Sequence, residues 1–129
     1  MSLDPTAREL AQGANFAAFT VHLASGAAMT HVMWVDATDD EILINTEVHR
    51  DKFRAVERDP RVTVTVMDAT NPYRYAEVRG RVVATVRGPE AREHIDKLSR
   101  KYRGQDYDPS IIKSERVILR IQPETQKVH

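Results

Sequence analysis

The sequence predicts a mainly β fold: a small antiparallel barrel with short helices plugging its ends and sides. Three observations carry this expectation. Val62, Val64 and Val66 alternate with Thr63 and Thr65, the period of a half-buried strand. Short turns at Ser25-Gly26 and at Thr38-Asp39-Asp40 separate three runs rich in Phe, Val, Ile and Thr. Helical spacing is confined to brief stretches between the strands.

Taken in order, Asp4-Pro5 reads as an N-cap followed by proline at the first helical position, and Gly13 as a stop, giving a helix over 5–12. Asn15 to Leu23 is the first strand, Ala28 to Asp36 the second and Glu41 to Glu47 the third, which the short turns join as an antiparallel meander. From His49 to Asp59 the period changes. Phe53 and Val56 lie three apart among charges, and Pro60 ends this helix. Arg61 to Asp68 is a strand, Ala69-Thr70-Asn71-Pro72 a loop, and Tyr73 to Val86 a long strand with Gly80 at a bulge or barrel corner. Gly88-Pro89 opens a helix over 89–102 that turns Ile95 and Leu98 inward and is capped by Gly104. Gln105 to Ser114 is a loop, and Arg116 to Gln122 the last strand.

The 129 residues suit one domain with a core of its own. Cysteine is absent, which removes disulfides, thiolate zinc sites and thiol nucleophiles. The net charge of zero divides unevenly. Arg8 is the only Lys or Arg among residues 1–49, against seven acids, so the rest of the chain carries the matching basic excess. A general nucleic-acid binder would be basic overall, so the expected basic feature is a local site for a small anion. No apolar run approaches the roughly 20 residues of a membrane span. Met1 to Pro5 shows no signal-peptide pattern, and the cytoplasm is the expected location.

Gly-rich dinucleotide and P-loop motifs are absent, as is a Gly-x-Ser-x-Gly elbow. His22, His31, His49 and His94 lack zinc-ligand spacing, and Asp39-Asp40-Glu41 reads as a solvated turn. Arg50-Asp51-Lys52-Phe53-Arg54 is different. It places two bases in the first turn of a helix, against the helix dipole. Two readings stay open. Free N–H groups, an Arg fork and a Lys charge converge on a phosphate, or the stretch is a solvated face with Asp51 paired to Arg54.

This strand-to-helix Arg-x-Lys, followed by Arg58-Asp59-Pro60-Arg61-Val62, resembles the pyridoxamine 5'-phosphate oxidase-like split β-barrel family. So do Tyr75-Ala76-Glu77-Val78-Arg79-Gly80-Arg81-Val82, Lys101-Tyr102-Arg103-Gly104 and Glu115 to Pro123. The likeness covers about residues 5–125 and is greatest to the branch using the deazaflavin coenzyme F420, the flavin/deazaflavin oxidoreductases of actinobacteria. It implies a split barrel of about six to seven strands of the FMN-binding type, and a homodimer with cofactor sites at the subunit interface. By that likeness Arg50 and Lys52 bind the cofactor phosphate. Met29, Thr30, His31, Val32 and Trp34 run beneath the tricyclic ring, with core or dimer packing the alternative for Met29 and Trp34. Ile44, Asn45 and Thr46 lie near the ring and ribityl chain, and Tyr73 and Tyr75 line the substrate side or the partner's site.

The C-terminal phosphate-gripping segment of true pyridoxamine-phosphate oxidases is not matched by Gln122 to His129, which argues against that activity, and the terminal His129 is set aside. The expected function is an F420-dependent reductase transferring a hydride to a small electron-poor acceptor. The alternatives are an FMN-binding oxidoreductase of the same fold and a non-catalytic flavin or deazaflavin binder. Arg54, Arg58 and Arg61 are candidates to extend the Arg50/Lys52 pair along the longer F420 tail.

Overall fold

Residues 2–129 are described by a computed structural model. The elements follow the order α1 (Pro5–Gln12), β1 (Phe16–His22), β2 (Ala28–Met33), β3 (Asp36–Ala37), β4 (Ile42–Glu47), α2 (Asp51–Arg58), β5 (Arg61–Asp68), β6 (Asn71–Arg87), α3 (Pro89–Arg103), a 3-10 turn (Pro109–Ile111) and β7 (Arg116–Val128). The seven strands form one antiparallel sheet in the order β2-β1-β5-β6-β7-β4-β3, curled into a split barrel.

Alternation decides what enters the barrel. Ala17, Phe19 and Val21 of β1, and Val62, Val64 and Val66 of β5, point inward and are buried. Ile42 and Ile44 of β4 meet Val117, Leu119 and Ile121 of β7 in the same core. Ala7, Leu10 and Ala11 of α1, with Phe53 and Val56 of α2, close it. Burying these side chains contributes about 1.5–3 kcal/mol each for the larger ones, which is what holds the sheet curled. The β4–β7 pair is covered on its other side as well. There α3 brings Ala91, Ile95 and Leu98, so β4 is buried along nearly its whole length.

The helix signals act as the sequence predicts. The Asp4 carboxylate accepts the Thr6 N–H at 2.8 Å, and Pro5 starts α1. Gly104, at φ +76°, closes α3 with its N–H on the Arg100 carbonyl. Gly80 marks a shift of register between β6 and β7. A Cβ there would stand 2.0 Å from the Gln122 carbonyl oxygen, so the two strands cross where only glycine fits.

Several expectations are corrected. The second strand ends at Met33 rather than Asp36, because Val35 gives its backbone groups to α3. The meander does not form: β2 and β4 lie toward opposite edges of the sheet, and β4 pairs with β3 and β7. The last strand runs on past Gln122 to Val128, and the loop over 69–72 shrinks to Ala69-Thr70. His129 is held, not set apart. Its N–H and carbonyl pair with Tyr75, and the two rings stack at 4.5 Å. In the acidic turn, Asp39 and Asp40 are exposed, but Glu41 is buried under Arg120, which donates to it at 2.9 and 3.3 Å.

Replacing Gly80 by alanine should lower stability by about 2–4 kcal/mol, because the methyl group meets backbone that cannot move without breaking the β6–β7 ladder. Urea denaturation checks this, and an unchanged midpoint with an unchanged slope would refute the close crossing.

Candidate functional site

A cleft of about 390 Å3 opens where β1, β2, β4, α2, α3 and the segment before β7 meet. One part of its lining is cationic, with Arg50, Lys52, Arg103 and Arg116. The other is aromatic and apolar, with Phe16, Val32, Trp34, Ile95, Tyr107 and Ile111. Asn45 and Thr46 of β4 lie between the elements that supply these groups.

Lys52 is the most telling residue. It is only 8% exposed, and the acceptor facing its ammonium is the thioether of Met33 at 3.7 Å. Sulfur is a weak acceptor. Burial depresses the Lys52 pKa, and the charges of Arg50 and Arg116 push the same way. No carboxylate stands within ion-pair distance of Arg50, Lys52 or Arg103 among the described residues. Arg50 occupies the N-cap of α2 without capping it through its side chain. Several cations thus face one space and repel one another, an arrangement that an anion relieves.

Arg116 is the exception, since Nη1 reaches Glu47 at 3.3 Å and Nε donates to Asn45 Oδ1 at 2.9 Å. Burial alone would raise the Glu47 pKa. Backbone N–H groups of Ser114 and Lys113, together with Arg116, outweigh it and hold the carboxyl below its usual value. Glu47 therefore stays ionised and pins the segment before β7 against β4.

The aromatic wall is braced by Tyr102 of α3. Trp34 stacks on Tyr102 with centroids 5.2 Å apart and planes 5° apart, and Tyr107 meets Trp34 edge-on. The Tyr102 hydroxyl accepts the Val35 N–H and donates to the Asn15 carbonyl. Its burial pushes its pKa up to about 12, so it remains a donor.

The structure brings six of the twelve sequence-derived candidates into this cleft: Arg50, Lys52, Val32, Trp34, Asn45 and Thr46. The other six stand outside its lining. Ile44 is buried in the barrel core, and Met29 packs against that core. Thr30 shares a 2.7 Å hydrogen bond with Thr20, and His31 is exposed on β2. Tyr73 is 86% exposed, and Tyr75 is stacked on His129. Arg54, Arg58 and Arg61 are engaged elsewhere, with Asp51, the His22 carbonyl and Asp59. Sequence reasoning missed Arg103, Tyr107 and Arg116. A signal for Arg116 existed: Asn45 and Glu47, two apart on one strand, put an amide and a carboxylate on the same face, which needs a donor opposite.

Beneath the cleft lies a second polar group. Asp36 accepts from His94 Nε2 at 3.0 Å, from Lys97 at 3.1 Å and from the Ala37 N–H at 2.9 Å. Burial works to raise its pKa, but the three donors win and hold it at about 2.

Comparison with known proteins places these features in context. The family model for pyridoxamine 5'-phosphate oxidase matches residues 3–129. Among solved structures, an F420 reductase superposes with a TM-score of 0.84 at 26% identity, covering 97% of this chain and 98% of that one. A conserved hypothetical protein from Mycobacterium tuberculosis gives 0.73 at 20% identity, covering 95% and 80%. General Stress Protein 26 from Bacillus anthracis gives 0.68 at 16%, covering 95% and 90%; these last two likenesses are of fold. No curated protein matches the sequence.

The Asp36 contacts predict a pH dependence. A carboxyl whose folded pKa lies near 2, against 3.8 unfolded, adds stability above about pH 4 and loses it as the pH falls toward 2. That contribution is about 2 kcal/mol. Asp36→Asn should flatten this acid limb, measured as unfolding free energy between pH 6 and pH 2.5. An equally steep limb in the variant would exclude the assignment.

Proposed function

Because the chain belongs to the pyridoxamine 5'-phosphate oxidase family, we propose that the cleft holds a phosphate-bearing flavin-type cofactor, coenzyme F420 in preference to FMN. On this reading the protein is an oxidoreductase that passes a hydride from reduced F420 to a small electron-poor organic acceptor. The observation that carries the reading is Lys52, a buried ammonium facing a thioether, with Arg50 and Arg116 close enough to depress its pKa. Cations clustered in this way favour an anion that offsets their repulsion, and a phosphate supplies one. The aromatic wall of Phe16, Trp34 and Tyr107 suits a flat tricyclic ring.

Bound there, F420 would supply the hydride chemistry, and the protein the positioning. Lys52 and Arg50 would anchor the phosphate, Trp34 and Val32 would flank the ring, and Asn45 and Thr46 would border it. Arg103, on the cleft lining and in no ion pair among the described residues, is available to a further anionic group such as the F420 tail. FMN is the second reading. What favours it is that Arg54, Arg58 and Arg61 are occupied elsewhere and leave the basic track short.

The same reading includes a homodimer. The outer face of β2, β1 and β5 exposes Val32 at 71%, Phe16 at 47% and Met67 at 40%. Phe16 and Met67 are paired across the sheet, and Val32 lies beside Ala18. Thr20, Thr30, Thr63 and Thr65 complete an uncharged surface. Phe16 and Val32 also line the cleft, so a second copy seated on this face would border the cofactor.

Lys52→Ala should change stability by less than about 1 kcal/mol, since it removes a buried cation with no strong partner. It should weaken F420 binding by roughly ten- to a hundredfold, and less so at high salt. Fluorescence titration of wild type and variant with F420, and in parallel with FMN, tests both parts. Wild-type affinity in a folded Lys52→Ala protein would remove the phosphate from this cleft, and tighter FMN binding would reverse the order of cofactors. Sedimentation should show a dimer at micromolar concentration, and a species of 14.7 kDa would defeat the shared site.

A further inference from the structure

Behind the cleft, four buried polar side chains from four elements join in one chain of hydrogen bonds. Arg116 Nε of β7 donates to Asn45 Oδ1 of β4 at 2.9 Å. Asn45 Nδ2 stands 3.0 Å from the Ala91 carbonyl and 3.0 Å from His94 Nδ1, both on α3. His94 Nε2 stands 3.0 Å from Asp36 Oδ2 of β3. All four residues are buried.

The chemistry of the ends fixes the middle. An arginine N–H only donates, and a carbonyl only accepts, so the Asn45 amide has one orientation that serves both. Its two hydrogens then go to Ala91 and to His94 Nδ1. That nitrogen must offer a lone pair, so the neutral ring carries its proton on Nε2 and donates it to Asp36. Donation therefore runs one way, from Arg116 to Asn45 to His94 to Asp36. The Asn45 amide cannot turn over without leaving both the Arg116 N–H and the Ala91 carbonyl unpaired.

At the cleft end, this chain holds the guanidinium. Nε is tied to Asn45, Nη1 to Glu47, and the central carbon Cζ lies over the Tyr107 ring, 5.3 Å from its centroid. We propose that Arg116 is a third cation gripping the anionic group held by Arg50 and Lys52, and that His94 is the positioning residue that sets it through Asn45 without touching the ligand. The identity of the anion rests on the cofactor reading above; the polarity of the chain does not.

The test measures affinity and proton position together. His94→Phe keeps the ring volume and removes both nitrogens, and Arg116→Lys keeps the charge and removes the Nε–H fork. Each should weaken F420 binding about tenfold, and the double variant should lose little more than either alone. His94→Gln, whose amide offers an acceptor and a donor, should stay within about threefold of wild type. Nitrogen-15 NMR of the wild type should show His94 as the Nε2–H tautomer, and the Arg116 Nε–H signal should shift in His94→Phe and return in His94→Gln.

Wild-type affinity in folded His94→Phe, additive losses in the double variant, or an Nδ1–H tautomer would each overturn the proposal. If His94→Phe does not fold, Arg116→Lys, His94→Gln and the tautomer decide it. A wild type that binds neither F420 nor FMN, but takes inorganic phosphate with the same dependence on His94, would retire the cofactor and keep the chain. A wild type that takes none of the three overturns both.

Discussion

The architecture depends on how the backbone of Val35 is satisfied. At Met33 the chain leaves the sheet edge, and the next peptide groups have no strand beside them. A buried N–H or C=O left bare would cost about as much as a lost hydrogen bond with its desolvation unpaid. The last turn of α3 supplies the partners. The Tyr102 hydroxyl accepts the Val35 N–H, and Lys101 donates to the Val35 carbonyl and to that of Ala11. Burial draws the Lys101 pKa down to about 8, a measure of how far the ammonium has been taken from water to do this. With Val35 fixed, Trp34 is presented flat against Tyr102, and the chain crosses to the other edge as β3. The cleft wall and the strand order thus share one cause.

Two kinds of cation can be contrasted in the barrel. Arg120 on Glu41, Arg61 on Asp59 and Arg100 on Asp106 have carboxylate partners, and each fastens one element to its neighbour or to itself. Of these, the exposed Arg100–Asp106 pair contributes little, while Arg120 covers a buried Glu41. Among the described residues, Arg50, Lys52 and Arg103 have no carboxylate within ion-pair distance, and they share one cleft. Arg116 stands between the two kinds, paired with Glu47 on one side and lining the cleft on the other. Arg50, Lys52 and Arg103 therefore face one space without the carboxylate that Arg120, Arg61 and Arg100 each have.

The parts that were legible in the sequence are those decided within a few residues. The Asp4-Pro5 start, the Val/Thr alternation of β5 and the Gly104 stop each follow from local geometry, whereas Gly80 marks an irregularity whose cause, the Gln122 carbonyl, lies on β7. The end of β2 was not legible, because the run Ala28 to Asp36 stays apolar through the break, and the groups that cause the break lie 66 and 67 residues on, in α3. The site divides in the same way. Arg50 and Lys52 stand out because two bases oppose a helix dipole locally. Arg116 reads as an ordinary strand-end arginine, and its burial is decided by Asn45, 71 residues earlier. Ile44 and Tyr75 illustrate the reverse. A family likeness marks the strand, but alternation and the Tyr75–His129 stack decide which of its side chains reach the cleft.

The pairing of β4 with β7 has a kinetic consequence. Its residues are separated by most of the chain, and bringing such segments together costs loop entropy before any contact rewards it. The β1–β2 and β5–β6 hairpins, closed by short turns, can form early and offer a partial sheet with an unpaired flank. Barrel closure through β7 comes late, and it is also the event that delivers Arg116 to Asn45 and Glu47. Loop entropy thus makes the cleft, which Arg116 helps to line, one of the last regions to mature during refolding.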